Sequence, residues 1–427
     1  MVEYPARFLI WIGVLLFLLR LGGRRKIDSE LRDLELPLLP NLNRLGGTNQ
    51  TSLPVSNTVD HFLEHTTLSA LAQLPGRLLN ALIRKRSLDP FRLHGRLTTV
   101  VDGTGLLSFS QRHCEHCLTQ QHEDKTIYFH PVVEIKLVTP NGLALSLASE
   151  FIENPAPLDQ AAATPGPDYE RIKQDCELKA FLRLAPQLKQ AFPQLALLLS
   201  ADSLYACGPY FECCRAHDWR FVVTFKEGRL PSLWQEFQAL LQLQPEQRLQ
   251  EQLPDKTTCL YRWVEHLSFV DSEGREHQLN ALLCVETSPQ GQQTTYAWLT
   301  DLPLNRDTVI AVARQGGRIR SKIENEGFNV QKNSGLNLEH AYSLDWNKAK
   351  AYYYLLQIGH ALYQLIEKGS LLRALAQEYG KKTTVQLFGS QEEIAQRLLD
   401  VLRYFTLPDE LFDPDLAPRY RISLNTS

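Results

Sequence analysis

Apolar residues recur at helical spacings through the first part of the chain. An unbroken apolar run covers residues 8–19, and residues 58–86 repeat apolar side chains every three or four positions. A membrane-spanning helix needs roughly 20 apolar residues, so the shorter run at residues 8–19 favours a buried helix over an anchor. A membrane role for this run stays open as the alternative. The pattern predicts a helical N-terminal domain over residues 1–95.

The pattern changes to strands at residue 97. Residues 97–101 (LTTVV) form a β-rich run that ends at Asp102, and two further strands over residues 126–139 and 143–151 flank a Pro-Asn-Gly turn. A helix over residues 169–192 follows, and the apolar run at residues 195–201 leads to Asp202. This order places a carboxylate at the tip of the first strand and another at the tip of the fourth, which is the layout of a ribonuclease-H-like fold.

The remaining pattern completes the predicted architecture. A β-rich stretch between Asp202 and a later helix that carries Glu324 reads as an insertion within the catalytic fold, and the last part of the chain is helical again. The predicted fold class is α/β, with a ribonuclease-H-like core, a β-rich insertion and helical regions at both ends. The expected domains are residues 1–95, residues 96–340 with the insertion at about 205–303, and residues 341–427.

Composition narrows the class of protein. Hydrophobic residues make up 44% of the chain and charged residues 22%, which is typical of a folded globular protein. The formal net charge is −3, so affinity for a polyanion would have to come from local basic patches and bound cations. The eight cysteines are too sparse for a disulfide framework, and no cleavable signal peptide is evident. We therefore expect reduced thiols and a cytoplasmic, nucleoid-associated protein without a membrane partner.

Three acidic residues have the chemistry of a two-metal site. In-line cleavage of a phosphodiester uses two divalent cations about 3.5 to 4 Å apart. Magnesium prefers hard oxygen ligands, and Asp102, Asp202 and Glu324 would supply them from two strands and a helix. Glu326 is the alternative third acid, but only Glu324 lies four residues after Arg320, the step that places both on one helical face.

The sequence around these acids resembles bacterial insertion-sequence transposases of the DDE class. The resemblance covers most of the chain and rests on VDGTG at residues 101–105, SADSLY at 200–205 and IENEGFN at 323–329. The last is similar to a Tyr-Arg-Glu-Lys signature, with Arg320 in the position of its Arg. Gly317 stands in place of the Tyr and Gln331 in place of the Lys, with Lys332 one position later, and Ser321 follows the Arg where many relatives carry a Trp.

The resemblance implies a DNA transposase that cleaves and joins strands at the ends of a mobile element. It implies two Mg²⁺ or Mn²⁺ ions as cofactors, double-stranded DNA of the element ends and target as substrate, and a homodimer in the synaptic complex. It also implies that the β-rich insertion contacts DNA, where Trp263 and Trp298 are aromatic candidates for base stacking; burial in the core of this part is the competing interpretation for both. The expected DNA-binding residues are Arg320, Lys332, Trp298, Lys226 and Arg318.

Two alternatives to a transposase remain open. One is a hydrolytic nuclease of the same fold, and the other is a degenerate or membrane-anchored relative that binds DNA without catalysis. The second would account for the missing signature Tyr and Lys.

A second group of residues has metal-ligand spacing. Cys114 and Cys117 form a CxxC pair that is a possible zinc site, with His122 and His130 nearby and Cys207, Cys213 and Cys214 further along. Buried or incidental thiols are the competing interpretation.

Overall fold

A computed structural model describes residues 4–31, 37–122, 125–154 and 175–412, together with Leu424. The chain is a mixed α/β protein built on a large mixed sheet. The expected helix over residues 169–192 falls partly outside the described residues, and its described part begins at Glu177.

The first part of the chain is helical, as the apolar spacing predicts. The helices are α1 (Ala6–Leu18), α2 (Arg25–Glu30), α3 (Leu38–Gly46), α4 (Ser56–Glu64) and α5 (Leu68–Arg84). The apolar run forms α1, and its side chains are buried inside the protein, with Phe8 and Ile12 each 1% exposed. This confirms the prediction of a buried helix. In the part of the chain that the structure describes, no helix combines the length and apolar character needed to cross a bilayer.

Eleven strands of the described residues form one sheet. They are β1 (Arg92–Leu93), β2 (Arg96–Phe109), β3 (Leu118–His122), β4 (Lys125–Val138), β5 (Ala144–Phe151), β6 (Leu197–Ala201), β7 (Arg220–Thr224), β8 (Arg248–Gln252), β9 (Thr258–Val270), β10 (Glu276–Thr287) and β11 (Gln293–Thr300). The turn between β4 and β5 includes Gly142 at a φ of 87°, a conformation that favours glycine, as the Pro-Asn-Gly sequence predicts.

The strands around Asp102 follow the order β5-β4-β2-β6-β7. Strand β4 pairs antiparallel with both β2 and β5, whereas β2, β6 and β7 run parallel to one another. Strand β11 then pairs antiparallel with β7, and β10, β9 and β8 continue outward. The β-rich stretch that was expected as an insertion therefore extends the same sheet.

Helices cover both faces of the sheet. On one face, α6 (Glu177–Ala191), α7 (Gly208–Ala216) and α8 (Pro231–Leu243) pack against side chains such as Val101, Leu199 and Val223. On the other face lies a continuous helical segment, residues 309–333, which we call the site helix. It joins α9 (Val309–Ala311) to α10 (Asn329–Asn333) through π-helical turns at Val312–Gly317 and Ile323–Phe328 and a 3₁₀ turn at Arg318–Arg320. Its apolar side chains contact Val100, Leu198 and Val222.

The C-terminal helices pack together with the N-terminal ones. They are α11 (Trp346–Lys368), α12 (Ser370–Glu378), α13 (Thr384–Phe388) and α14 (Gln391–Tyr404). Helix α11 contacts α1, α4 and α5, and buried residues of α1, α3, α4, α11 and α14 belong to one hydrophobic cluster. The two helical regions that the sequence suggests as separate units thus share one core.

Candidate active site

The parallel pairing of β2 and β6 brings the two aspartates side by side. Val100 of β2 is in register with Ser200 of β6, and Asp102 and Asp202 each follow two positions later. Because side chains alternate along a strand, both aspartates lie on the face that the site helix covers. Asp202 follows the last residue of β6, and its carboxylate accepts a hydrogen bond from the Leu204 N–H at 2.8 Å.

The expectation that Asp102 ends its strand is wrong. Strand β2 continues to Phe109, because Gly103 and Gly105 still pair with Val133 and Pro131 of β4. The pairing of β2 with β6 ends before Asp102, because Val100 is the last residue of β2 that pairs with β6. Asp102 thus lies at the point where the parallel neighbour ends, and its side chain is 15% exposed.

The site helix adds Arg320 and Glu324 on one face, as their four-residue spacing predicts. The Arg320 guanidinium donates from one nitrogen to Asp102 Oδ2 and from another to Glu324 Oε1, both at 2.9 Å. Arg320 therefore bridges the strand carboxylate and the helix carboxylate. Glu324 is 53% exposed, so this end of the cluster opens to solvent.

A fourth carboxylate, Glu177, approaches Asp102 and Asp202 from the α6 side of the sheet, opposite the site helix, and was not anticipated from the sequence. It is the first residue of α6 and reaches the sheet beside Gly103. A Cβ atom on Gly103 would lie 2.3 Å from Glu177 Oε1, so the carboxylate occupies the space that a side chain there would need. In the expected helix over residues 169–192 Glu177 is an interior residue, and a glutamate in a helix is most often simply solvated.

Burial and mutual repulsion shift the acids toward their protonated forms. Burial raises the pKa of Asp102 to about 6, and the charges of Glu324 and Asp202 add to this effect, together outweighing the opposing effect of Arg320. Burial, followed by the charges of Asp102 and Asp202, raises the pKa of Glu177 to about 7. A site that holds several carboxylates at such cost is typical of function.

Tyr205 lies beneath this cluster. Burial and the nearby charges of Glu177, Asp102 and Asp202 raise its pKa well above the ordinary value. Its hydroxyl is buried and has no hydrogen-bond partner among the residues that the structure describes. A buried hydroxyl without a partner next to carboxylates is a free donor at the site.

The donor set fits divalent cations of the magnesium type. Asp102, Asp202 and Glu324 offer only oxygen ligands, and bound cations would relieve the repulsion that helps to raise the pKa values of Asp102 and Glu177. No three acids of the cluster place their ligand atoms within 4.8 Å of one another, as three donors around a single ion would. A pair of ions about 3.5 to 4 Å apart takes ligands from a wider area.

The other residues of the signature point elsewhere. Glu326, the alternative third acid, pairs with Lys322 at 3.2 Å, away from Arg320. Gln331 is fully buried and donates to Gln357 Oε1 at 2.8 Å, and Lys332 pairs with Glu339 at 2.7 Å. The structure therefore places neither Gln331 nor Lys332 in the acidic cluster.

Trp298 and Trp263 lie in the core, which corrects their assignment as base-stacking residues. They are 4% and 5% exposed, and both belong to the cluster between β9–β11 and the site helix. A Cβ atom on Gly317 would lie 2.3 Å from the Trp298 indole. Trp298 thus fills the space in which the side chain of a signature Tyr would have to fit.

Basic side chains line the site helix on its solvent side. Arg314, Arg318 and Lys322 border a groove of ≈ 470 Å³ with Phe91 and Pro140. Arg318 stacks over the Tyr296 ring at 3.9 Å and pairs with Glu286 at 3.4 Å, so it is held in place but remains 43% exposed. Lys226, just after β7, is exposed.

The two cysteines of the CxxC pair lie next to a histidine, His130. Cys114 and Cys117 lie in the turn before β3, and both sulfur atoms face His130 of β4. Burial lowers the pKa of His130 to about 4, so its imidazole is neutral at pH 7. Neither Cys207, Cys213 nor Cys214 joins this group, and the side chain of His122 lies outside the described residues.

No protein-family model matches this chain, and no curated protein matches it either.

Proposed function

We propose that this protein is a DNA transposase of the DDE class, which cleaves and joins DNA strands with metal ions held by Asp102, Asp202 and Glu324. The strand order β5-β4-β2-β6-β7, with three antiparallel strands followed by two parallel ones, supports a ribonuclease-H-like core. The motifs around the three acids support the transposase class.

One observation carries the proposal most strongly. Asp102 and Asp202 extend from adjacent parallel strands onto one face of the sheet, and the helix that covers this face presents Glu324 to the same place through Arg320. These three residues are more than 90 positions apart in sequence, and the fold still brings them together. Bringing acids from separate elements together costs electrostatic free energy, and such clusters are typical of functional sites.

The chain's own residues divide the work as follows. Two divalent cations would activate the attacking oxygen and stabilise the leaving oxygen of the scissile phosphodiester. Asp102, Asp202 and Glu324 would hold these ions. Arg320 donates to both Asp102 and Glu324 in the free protein. When cations bind these two acids, the N–H groups of its guanidinium can donate to a phosphate oxygen instead.

In this proposal, DNA binds to the basic groove along the site helix. Arg314 and Arg318 are each more than 40% exposed and line this groove, on the same helix that carries Arg320 and Glu324. Their pairing with Glu251 and Glu286 keeps the groove close to neutral in the free protein. DNA phosphates would compete for these guanidinium groups, which explains how a chain of net charge −3 binds a polyanion locally.

The test is magnesium-dependent cleavage and strand transfer on a plasmid that carries the DNA flanking this protein's own gene. We expect the wild type to cut, and Asp102→Asn, Asp202→Asn and Glu324→Gln each to lose at least about 100-fold in rate. Removing a metal ligand costs several kcal/mol of transition-state stabilisation, and about 1.4 kcal/mol is tenfold. Folding of each variant is checked by circular dichroism.

Glu326→Gln is the matched control, because Glu326 lies on the same helix but pairs with Lys322 outside the cluster. It should cut like the wild type. Loss of activity in Glu326→Gln with retention in Glu324→Gln would contradict the proposed ligand set. Cleavage without any strand transfer would favour a hydrolytic nuclease, and DNA binding without cleavage would favour a binding protein.

A further inference from the structure

A tight cluster of two thiols and an imidazole lies at the far end of the β2–β4 hairpin. The sulfur atoms of Cys114 and Cys117 are 3.8 Å apart. His130 Nε2 is 3.4 Å from Cys114 Sγ and 3.2 Å from Cys117 Sγ. In the described residues, Nε2 has no hydrogen-bond partner besides these sulfur atoms, and Nδ1 has none. The imidazole is thus aimed at the thiols.

These separations are those of ligand atoms around one small ion. A tetrahedral zinc ion, with zinc–sulfur bonds of about 2.3 Å and zinc–nitrogen bonds of about 2.0 Å, spaces its ligand atoms about 3.5 to 3.8 Å apart. The three measured distances fall at or slightly below this range. Two soft thiolates and an imidazole select zinc over magnesium, which prefers oxygen.

The backbone of the turn also contacts a sulfur atom. The N–H of Cys114 donates to Cys117 Sγ at 3.4 Å, which holds this sulfur within the turn.

Residues behind the ligands hold them in place. His130 is fully buried and stacks on Trp346, the first residue of α11, at 3.9 Å between ring centroids. Asn154 donates to the Cys117 carbonyl oxygen at 3.1 Å, and its own carbonyl oxygen lies 3.2 Å from His116 Nδ1. The turn is therefore fixed to the end of β5 and to α11 before any ion binds, as a preformed site requires.

We propose that Cys114, Cys117 and His130 bind a structural zinc ion that fastens the turn before β3 to β4 and α11. The fourth donor would be a water molecule, because the ring nitrogens of His116 lie outside the 4.8 Å group and its Nε2 faces Glu115 Oε1 at 3.6 Å. His130 pairs with Leu107, five positions along β2 from Asp102, or about 17 Å at strand spacing. The zinc site is thus separate from the acidic cluster and does not rest on the proposed function.

The first experiment measures the metal content of the full-length protein after expression with added zinc and purification without chelator. We expect about one zinc per chain, because the three ligand atoms converge on a single position. The double variant Cys114→Ser/Cys117→Ser and the single variant His130→Ala should each lose most of it. Cys259→Ser/Cys284→Ser is the matched control, because this other buried thiol pair lies with Glu286 in a second potential metal group, and it should keep its zinc.

Two measurements on the wild type remain informative if these variants fail to fold. Cobalt in place of zinc should give thiolate charge-transfer absorption and the intense visible bands of a tetrahedral site. Zinc should also slow alkylation of Cys114 and Cys117 but not of the exposed Cys176. Zinc-free protein after zinc-replete expression, zinc lost only in the Cys259/Cys284 control, or a Cys114–Cys117 disulfide in reducing buffer would overturn the assignment.

Discussion

At the scale of single residues, the acidic cluster stores unfavourable electrostatic energy. Asp102 interacts with Asp202, Glu177 and Glu324, and Arg320 is the cation that bridges two of these acids. When all the acids are ionised, negative charge exceeds positive charge in a partly buried volume. Such a cluster favours the binding of cations or protons and destabilises the fold when neither is present.

The first prediction concerns the pH dependence of the metal-free protein. The folded pKa values of Asp102 and Glu177 lie above their ordinary values of 3.8 and 4.5, at about 6 and about 7. The unfolded chain therefore binds fewer protons than the folded one within this window, so the free energy of unfolding falls as pH rises from about 4 to 7. Thermal unfolding in EDTA across this range measures the slope.

Glu177→Gln should have opposite effects on stability and activity. In EDTA at pH 8 the variant should be more stable than the wild type by about 1–2 kcal/mol, from a pKa shift worth 1.36 kcal/mol per unit and reduced by solvent screening. Magnesium-dependent cleavage should fall at least about tenfold, because the negative charge of Glu177 next to Asp102 and Asp202 favours cation binding. Unchanged stability together with full activity would remove Glu177 from the site.

Gly103→Ala tests the position of Glu177 without removing its charge. The new Cβ would fall on the Glu177 carboxylate, which is the free end of a flexible side chain and can move away. We expect a folded protein with cleavage lowered as in Glu177→Gln. Gly105→Ala, two positions along the same strand, meets no atom within 4 Å and is the control that should remain active.

These residues show how far sequence reasoning reaches. The motifs at residues 101–105, 200–205 and 323–329 were sufficient to select Asp102, Asp202 and Glu324, and the four-residue step located Arg320 beside Glu324. Glu177 could not be found in this way, because its place depends on a tertiary approach to Gly103 that leaves no local pattern. The assignment of Trp298 to base stacking is wrong, because its indole is buried against Gly317 of the site helix. This contact joins two separate elements and leaves no local pattern in the sequence.

At the scale of elements, the irregular winding of the site helix sets the position of the face that carries Arg320 and Glu324. The helix continues through Gly316 and Gly317 in a π-helical turn, although glycine is unfavourable inside a helix. Such turns occur often at functional sites because they re-aim the side chains that follow. Here they lie on both sides of Arg320, and glycine lets the first one approach Val222 and Trp298 closely.

Gly317→Ala should therefore shift the site helix. The added methyl group would lie 2.3 Å from the buried indole of Trp298, which is rigid and cannot turn aside. Overpacking of this kind costs about 1–3 kcal/mol, which exceeds the gain of up to about 1 kcal/mol in helix propensity. We expect a lower melting temperature and weaker cleavage. Gly228→Ala, at a position with no atom within 4 Å, should change neither.

At the scale of the whole molecule, α1 and α11 form the centre of the helical core. Gly359 of α11 lets α1 approach its backbone, since a Cβ there would lie 2.7 Å from Phe17 Cβ and 3.0 Å from Leu18 N. Gly13 of α1 meets only the flexible end of Leu355, at 2.6 Å. Periodicity predicted both helices, but it could not pair them, because nothing local indicates which apolar faces meet.

The two glycines give a matched pair of substitutions. Gly359→Ala should lower the free energy of unfolding by about 1–3 kcal/mol, because the methyl group meets backbone and Cβ atoms that cannot rotate away. Gly13→Ala should cost less, since Leu355 can change its rotamer and alanine gains helix propensity. Chemical denaturation of both variants measures the difference, and equal stabilities would argue against a tight α1–α11 contact.

The pairing of α1 with α11 also has a consequence during protein synthesis. Helix α1 is synthesised before the helix that covers it, α11, which ends at Lys368, some 350 residues later. At about 5–20 residues per second, the apolar surface of α1 waits for tens of seconds before its partner is made. During that interval the nascent chain offers an apolar segment that a ribosome-bound chaperone would have to shield.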